Sequence, residues 1–221
     1  IRGKVTQENE FGISWEPVPN TLRAVEAAWS RDGKQIAFAR YGDGTHNLWT
    51  VDADGGNPTQ LTQFDDGTQI QGISWAPNDS GLLLSLFHAH QQDLWFYKID
   101  SGEFFRVTDT KYTETDPVVG PDELVWFSSD FDGVYNVYTY DTETGEVVKK
   151  TNLIGGSYGV DPTPTGDLLY TSFTGHGFRI QAIKAGDLLN EVVEYPGVCS
   201  KGQCANVDEY LAKKPESVDA V

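Results

Sequence analysis

The chain has 221 residues, of which 38% are hydrophobic and 12% aromatic; that is enough to bury one substantial core or two small ones, and it excludes a disordered polypeptide. With 33 acidic against 16 scattered basic residues and a net charge of −17, it lacks the clustered cations that nucleic acids and anionic membranes require. No apolar run approaches the roughly 20 residues of a membrane-spanning helix. No basic, apolar, then small leader stands at Ile1, and methionine is absent, so a removed initiator or leader, or a piece of something longer, is expected.

Residues 1–24 read as the end of a preceding unit followed by an insertion. The segment IRGKVT (1–6) has the form of 103–108, which closes a later unit. The segment 12–17 nearly duplicates 72–77, yet Trp29 follows Trp15 by only 14 residues, too few for a four-stranded sheet, so an inserted loop or an extra strand is expected. From Val25 the pattern is regular. Four apolar runs in 25–62 are separated by Asp32-Gly33, Gly42-Asp43-Gly44 and Asp54-Gly55-Gly56, where glycine supplies the positive φ of tight hairpin turns.

Three further units follow at 72–108, 116–151 and 159–184. Trp75 lies 46 residues after Trp29 and Trp95 46 after Trp49, while Pro121 follows Pro77 by 44 and Pro164 follows Pro121 by 43. Four strands per unit at a period in the forties define an all-β fold, a β-propeller of four-stranded antiparallel blades. Runs such as 35–40, 82–87 and 93–99 are apolar at consecutive positions, which suits sheets covered on both faces. Four blades and a partial one stand at the bottom of the range for a closed ring. Further blades, from a longer chain or from self-association, are therefore expected in a six- to eight-bladed ring. Residues 186–221 form a C-terminal extension with one strand at 191–195 and a short helix at 207–212 capped by Asn206. Between them lie Cys199 and Cys204, whose spacing fits neither a zinc half-site nor haem attachment; a local disulfide or two free thiols are both compatible with it.

The segments 28–38, 48–58 and Leu61-Thr62 resemble the TolB-like, WD40-like PD40 propeller repeat across 25–185. The family's proline is Arg31 here but returns at Pro77, Pro121 and Pro164. The resemblance implies a periplasmic or extracellular propeller that acts as a non-enzymatic protein-interaction scaffold of the cell envelope. The alternative it implies is the accessory propeller of a serine peptidase or polysaccharide-degrading enzyme whose catalytic part lies outside this chain.

Gly155-Gly156-Ser157-Tyr158-Gly159 matches a nucleophile elbow, but Pro162 and Pro164 forbid the helix that must follow, so a loop between blades is expected and no catalytic residue is assigned. His46, His88, His90 and His176 fall between second and third strands. Together with Asp43, Asn47, Asp132 and Asn136 they form the expected binding-face loops. Two metal sets are weak alternatives to ordinary polar loops: His88 and His90 on one side of a strand with Asp93, and Asp130, Asp132 and Asn136 for Ca²⁺. No cofactor is otherwise expected. Trp29, Trp49, Trp75 and Trp95 are read as packing between blades.

Overall fold

Short strands joined by tight turns can pair only with their sequence neighbours, and the computed structural model, which describes residues 2–5, 13–77 and 79–198, is built almost entirely from such meanders. β1 (Arg2–Val5) and β2 (Ile13–Glu16) form a separate antiparallel ribbon, so the duplicated segment at 12–17 contributes an extra strand. The first blade is β3 (Ala24–Trp29), β4 (Gln35–Gly42), β5 (Thr45–Asp52) and β6 (Thr59–Gln60). The second is β7 (Gln69–Trp75), β8 (Gly81–His88), β9 (Gln91–Lys98) and β10 (Phe104–Arg106).

The third blade holds β11 (Glu114–Val119), β12 (Val125–Ser129), β13 (Asn136–Tyr140) and β14 (Val147–Lys149). The fourth has three strands, β15 (Ser157–Pro162), β16 (Leu168–Thr174) and β17 (Gly177–Ile183). After one turn of 3-10 helix (Ala185–Asp187) the chain does not add a fourth strand to this blade. It turns back, and β18 (Glu191–Val193) pairs antiparallel with β14 as a fifth strand of the third blade. Residue Val198 then bridges to Thr108 of the second. The strand expected at 191–195 is therefore part of the propeller's edge. Cys199, Cys204 and the helix expected at 207–212 lie outside the described residues.

The run of apolar residues in each second strand is explained by two-sided burial. Leu82, Leu84 and Leu86 of β8 meet Ala37, Ala39 and Leu48 of the first blade, while Leu83 between them faces Val125, Phe127 and Tyr138 of the third. Trp126 and Val137 then meet Val160, Leu168 and Tyr170 of the fourth. Trp75 and Trp95 are packed in the first of these cores, as the spacing predicts. Trp29 is 51% exposed and Trp49 packs beside Val18, Phe38 and Val51, because the corresponding face of the first blade has no preceding blade among the described residues and is covered in part by Val18.

The innermost strands each carry one register shift, between Ala24 and Glu26, Ile70 and Gly72, Thr115 and Val118, and Tyr158 and Asp161. Such bulges coil a strand and let it pack edge-on around an axis. At the same level Gly72 leaves room for Pro117: an added Cβ would stand 2.9 Å from its Cδ. On the opposite end, Arg31 accounts for its own departure from the repeat. Its amide donates to Asp79 Oδ1 at 2.7 Å, a bond proline cannot make, and its Nη2 reaches across to the Val119 carbonyl of the third blade at 2.7 Å. A charge-assisted bond of this kind is worth about 1–2 kcal/mol when partly buried. Arg31→Ala is expected to lower unfolding free energy by that amount in urea titrations with an unchanged slope; an unaltered midpoint would show that the crossing contact carries no stability.

Candidate functional site at the loop end of the blades

Asn47, Asp93 and Asn136 stand near the start of the third strand of successive blades, each 15 residues before a threonine; the Thr62 and Thr151 hydroxyls donate to Asn47 and Asn136 at 3.0 Å, and that of Thr108 donates to Glu114 at 3.2 Å. The Thr62, Thr108 and Thr151 hydroxyls accept from the amides of Leu48, Leu94 and Val137 at 2.8 to 2.9 Å. In turn Asn47, Asp93 and Asn136 accept from the amides of Phe64, Thr110 and Leu153 at 2.6, 3.0 and 2.8 Å. Each pair thus ties the fourth strand, and the connection to the next blade, onto the third strand. The fourth blade has Arg179 at this place and a third strand with no fourth beside it.

This assigns fastening roles to residues expected to face a ligand. Asp93 is buried, pairs with Arg106 at 2.6 Å, and has a carboxyl held above the usual range by burial against the opposing pull of Arg106 and Thr110. Asp132 bonds Lys149 and Asn136, and these bonds outweigh a burial that pushes it up, holding its carboxyl below the usual range. Asp130 accepts from the Thr113 amide at 2.8 Å. His88 and His90 do not share one side of a strand: Ala89 and His90 both have positive φ, 49° and 68°, and form the tight turn between β8 and β9. His88 Nδ1 lies 2.9 Å from Thr68 Oγ1 and 3.3 Å from Asp66 Oδ2, and His46 Nδ1 lies 3.0 Å from the Ile70 carbonyl. Asp43 has φ 50° in the turn after β4, and His176 is exposed in the turn after β16. Among the described residues, three or more His, Cys, Asp or Glu nowhere converge into a metal-holding group.

The repeat also explains the serine of GGSYG. Thr68, Glu114 and Ser157 each stand six residues after a fastening threonine, at the start of an innermost strand. Ser157 opens β15, is fully buried, and its Oγ has no hydrogen-bond partner among the described residues. A strand follows it where an elbow needs a helix.

Glu114 is the member of this series with chemistry. It is fully buried and accepts from Thr110 Oγ1 at 2.6 Å, Tyr195 Oη at 2.7 Å and Thr108 Oγ1 at 3.2 Å. Burial, with the nearby Asp93 charge adding to it, pushes its carboxyl up to about 7 against these hydrogen bonds. Tyr195 also shares a 2.6 Å bond with Ser129 Oγ and sits among Tyr112, Phe127, Phe131 and Tyr138. Nearer the axis, burial raises the carboxyls of Glu26 and Asp116, with the Asp116 charge adding to the first. Asp116 accepts from the Gly159 amide at 2.9 Å.

Beside these loops, the outward face of the fourth blade is apolar. Phe173 and Phe178 are stacked edge to face at 5.1 Å, Tyr158 joins Phe178 at 5.8 Å and Tyr135 at 5.4 Å, and Ile180 and Ile154 are exposed.

These blades define the molecule as a β-propeller, and comparisons with known proteins show it to be TolB-like. The chain is 26% identical over 138 residues to the protein Atu1656 of Agrobacterium fabrum, covering 58% of this chain and 46% of that protein. It is 24% identical over 111 residues to the Tol-Pal system protein TolB of Francisella tularensis, covering 50% of this chain and 26% of TolB. Among solved structures, TolB of Acinetobacter baumannii superposes with a TM-score of 0.66 at 16% identity over 76% of this chain and 43% of TolB. A puromycin-hydrolyzing peptidase of Mycobacterium tuberculosis gives 0.63 at 12% identity over 86% of this chain and 32% of the peptidase. The chain spans less than half the length of these curated relatives. No family model matches it.

Two outcomes follow from the site's geometry. Asn136→Ala leaves the Leu153 amide and the Thr151 hydroxyl without an acceptor and is expected to cost about 2–3 kcal/mol in denaturant unfolding. A cost near zero would mean that water replaces the fastener. Glu114 binds its proton more tightly folded, at about 7, than at its ordinary 4.5. Its contribution to stability is therefore complete below about pH 4.5 and lost as pH rises through about 7, a change of ~3 kcal/mol. Glu114→Gln is expected to remove this decline from a plot of unfolding free energy between pH 4.5 and 8; an identical decline in the variant would assign it to other groups.

Proposed function

We propose that this propeller is a non-enzymatic scaffold that binds a protein partner in the periplasm or outside the cell, through its loop end and the adjoining apolar face of the fourth blade. The observation that carries the reading is that face: Phe173, Phe178, Ile180 and Ile154 stand exposed together at the end where the blade connections gather. Clustered exposed aromatics beside polar loops are a feature of protein contact surfaces. The likeness to proteins of the Tol-Pal system supports it. A net charge of −17 favours a partner that offers cations around an apolar centre.

The second reading, a propeller attached to a hydrolase, is favoured by the peptidase that shares the fold. The two separate on the natural polypeptide: an adjoining α/β domain with a Ser-Asp-His set would sink the scaffold reading. A photo-crosslinking residue in place of Phe178, in the natural polypeptide and in its own cells, is expected to give one discrete heavier adduct. The same residue in place of Asp100, in a turn on the far rim, is expected to give none. No adduct from Phe178, or equal adducts from both, would count against the proposed surface.

A further inference from the structure

The return of the chain after the fourth blade is built as a closure. From Leu189, whose amide donates to the Lys150 carbonyl at 2.9 Å, the segment pairs along β14, buries Tyr195 between the second and third blades, and ends with the Gly197 carbonyl accepting from the Asp109 amide at 2.7 Å. Val192 and Glu191 on its outer side are exposed, so Tyr195, the partly buried Val193 and Val198 and a line of backbone bonds hold it. The hydroxyl of that ring reaches Glu114 and Ser129 at 2.7 and 2.6 Å, and the ring itself is enclosed by four aromatic neighbours.

We propose that residues 185–198 form a clasp over the third and second blades, locked by the Tyr195 hydroxyl on Glu114, and that the clasp loosens when Glu114 gives up its proton. The charges facing Glu114 are arranged for this. From β9 comes Asp93, which repels a second negative charge. The cation of β10, Arg106, is engaged by Asp93 and Asp109 at 2.6 and 2.9 Å. From the stretch after β10 come the neutral hydroxyls of Thr108 and Thr110, and from the clasp the neutral phenol of Tyr195, with Tyr138 of β13 behind it at 5.6 Å. Among the described residues no Lys, Arg or His is paired with this carboxyl in an ion pair.

An ionised Glu114 under the closed clasp is thus a buried charge with hydroxyl donors only, next to a like charge. Lifting Tyr195 admits water to the carboxylate and lets the proton pass to solvent. The closed state prefers the acid form, as its raised carboxyl attests, and by linkage the ionised form prefers the open one.

Hydrogen exchange of backbone amides in the natural polypeptide, corrected for the intrinsic pH dependence of exchange, tests this at pH 5 and pH 8. Amides of 189–198 are expected to be less protected than those of β12 and β13 at both pH values, as a local opening requires, and their protection to fall about tenfold from pH 5 to pH 8. Glu114→Gln should abolish the difference. Tyr195→Phe, which keeps the ring in its cage and removes only the hydroxyl, should lower clasp protection about fivefold at pH 5 and flatten its pH dependence. Clasp protection that is constant with pH, clasp amides as well protected as those of β12 and β13, or a Tyr195→Phe chain that behaves as the unaltered one would each overturn the proposal.

Discussion

A blade of this molecule is apolar on both faces, and a sheet of that kind is stable only between two others. Leu82, Leu84 and Leu86 look one way and Leu83 the other, so the second blade belongs equally to two cores. Every other feature follows from stacking such sheets around an axis. The innermost strands must coil and approach closely, which the four bulges and Gly72 allow. The connections must return from the rim of one blade to the axis of the next, which the fastening pairs hold in place. The carboxyls of Asp93, Glu114 and Asp116, drawn in among these sheets, are each met by hydrogen bonds.

The propeller was legible because its causes are local and repeated. Turn chemistry, consecutive apolar positions and tryptophans at a fixed period need no knowledge of distant contacts. The fastening pairs were equally periodic, 15 residues apart in three units, but Asn47 and Asn136 beside turns also fit an oxygen-rich loop, and Asp93 three residues from His90 invites a metal reading. Only the hydrogen bonds decide between these uses. Trp29 and Trp75 share a place in the repeat and differ in burial, since packing depends on whether a blade precedes them.

What no local pattern could announce is the meeting of Glu114 with Tyr195 across 81 residues. Glu-Thr-Asp-Pro reads as the start of an innermost strand in which any polar residue suffices; Glu-Val-Val-Glu-Tyr reads as an isolated strand. The titration behaviour of the carboxyl comes from their enclosure together, with Asp93 close by, and so belongs to the tertiary structure. The same applies to Arg31, whose reach to Val119 gives a reason for a residue that departs from the repeat.

The pairing of β14 with β18 has a consequence for the order of assembly. The first and second blades pair only their own consecutive strands, so all the pairing partners of each are present as soon as that stretch has been made. The third cannot finish at that stage: its outermost strand lies some forty residues further along, beyond the whole of the fourth blade. During that interval β14 presents an open edge, the aromatic cage stands empty, and the loop that must close is the longest of any strand pair in the described chain. Synthesis therefore leaves the third blade as the last to be sealed, and the fourth blade is built before the sheet it leans on is whole.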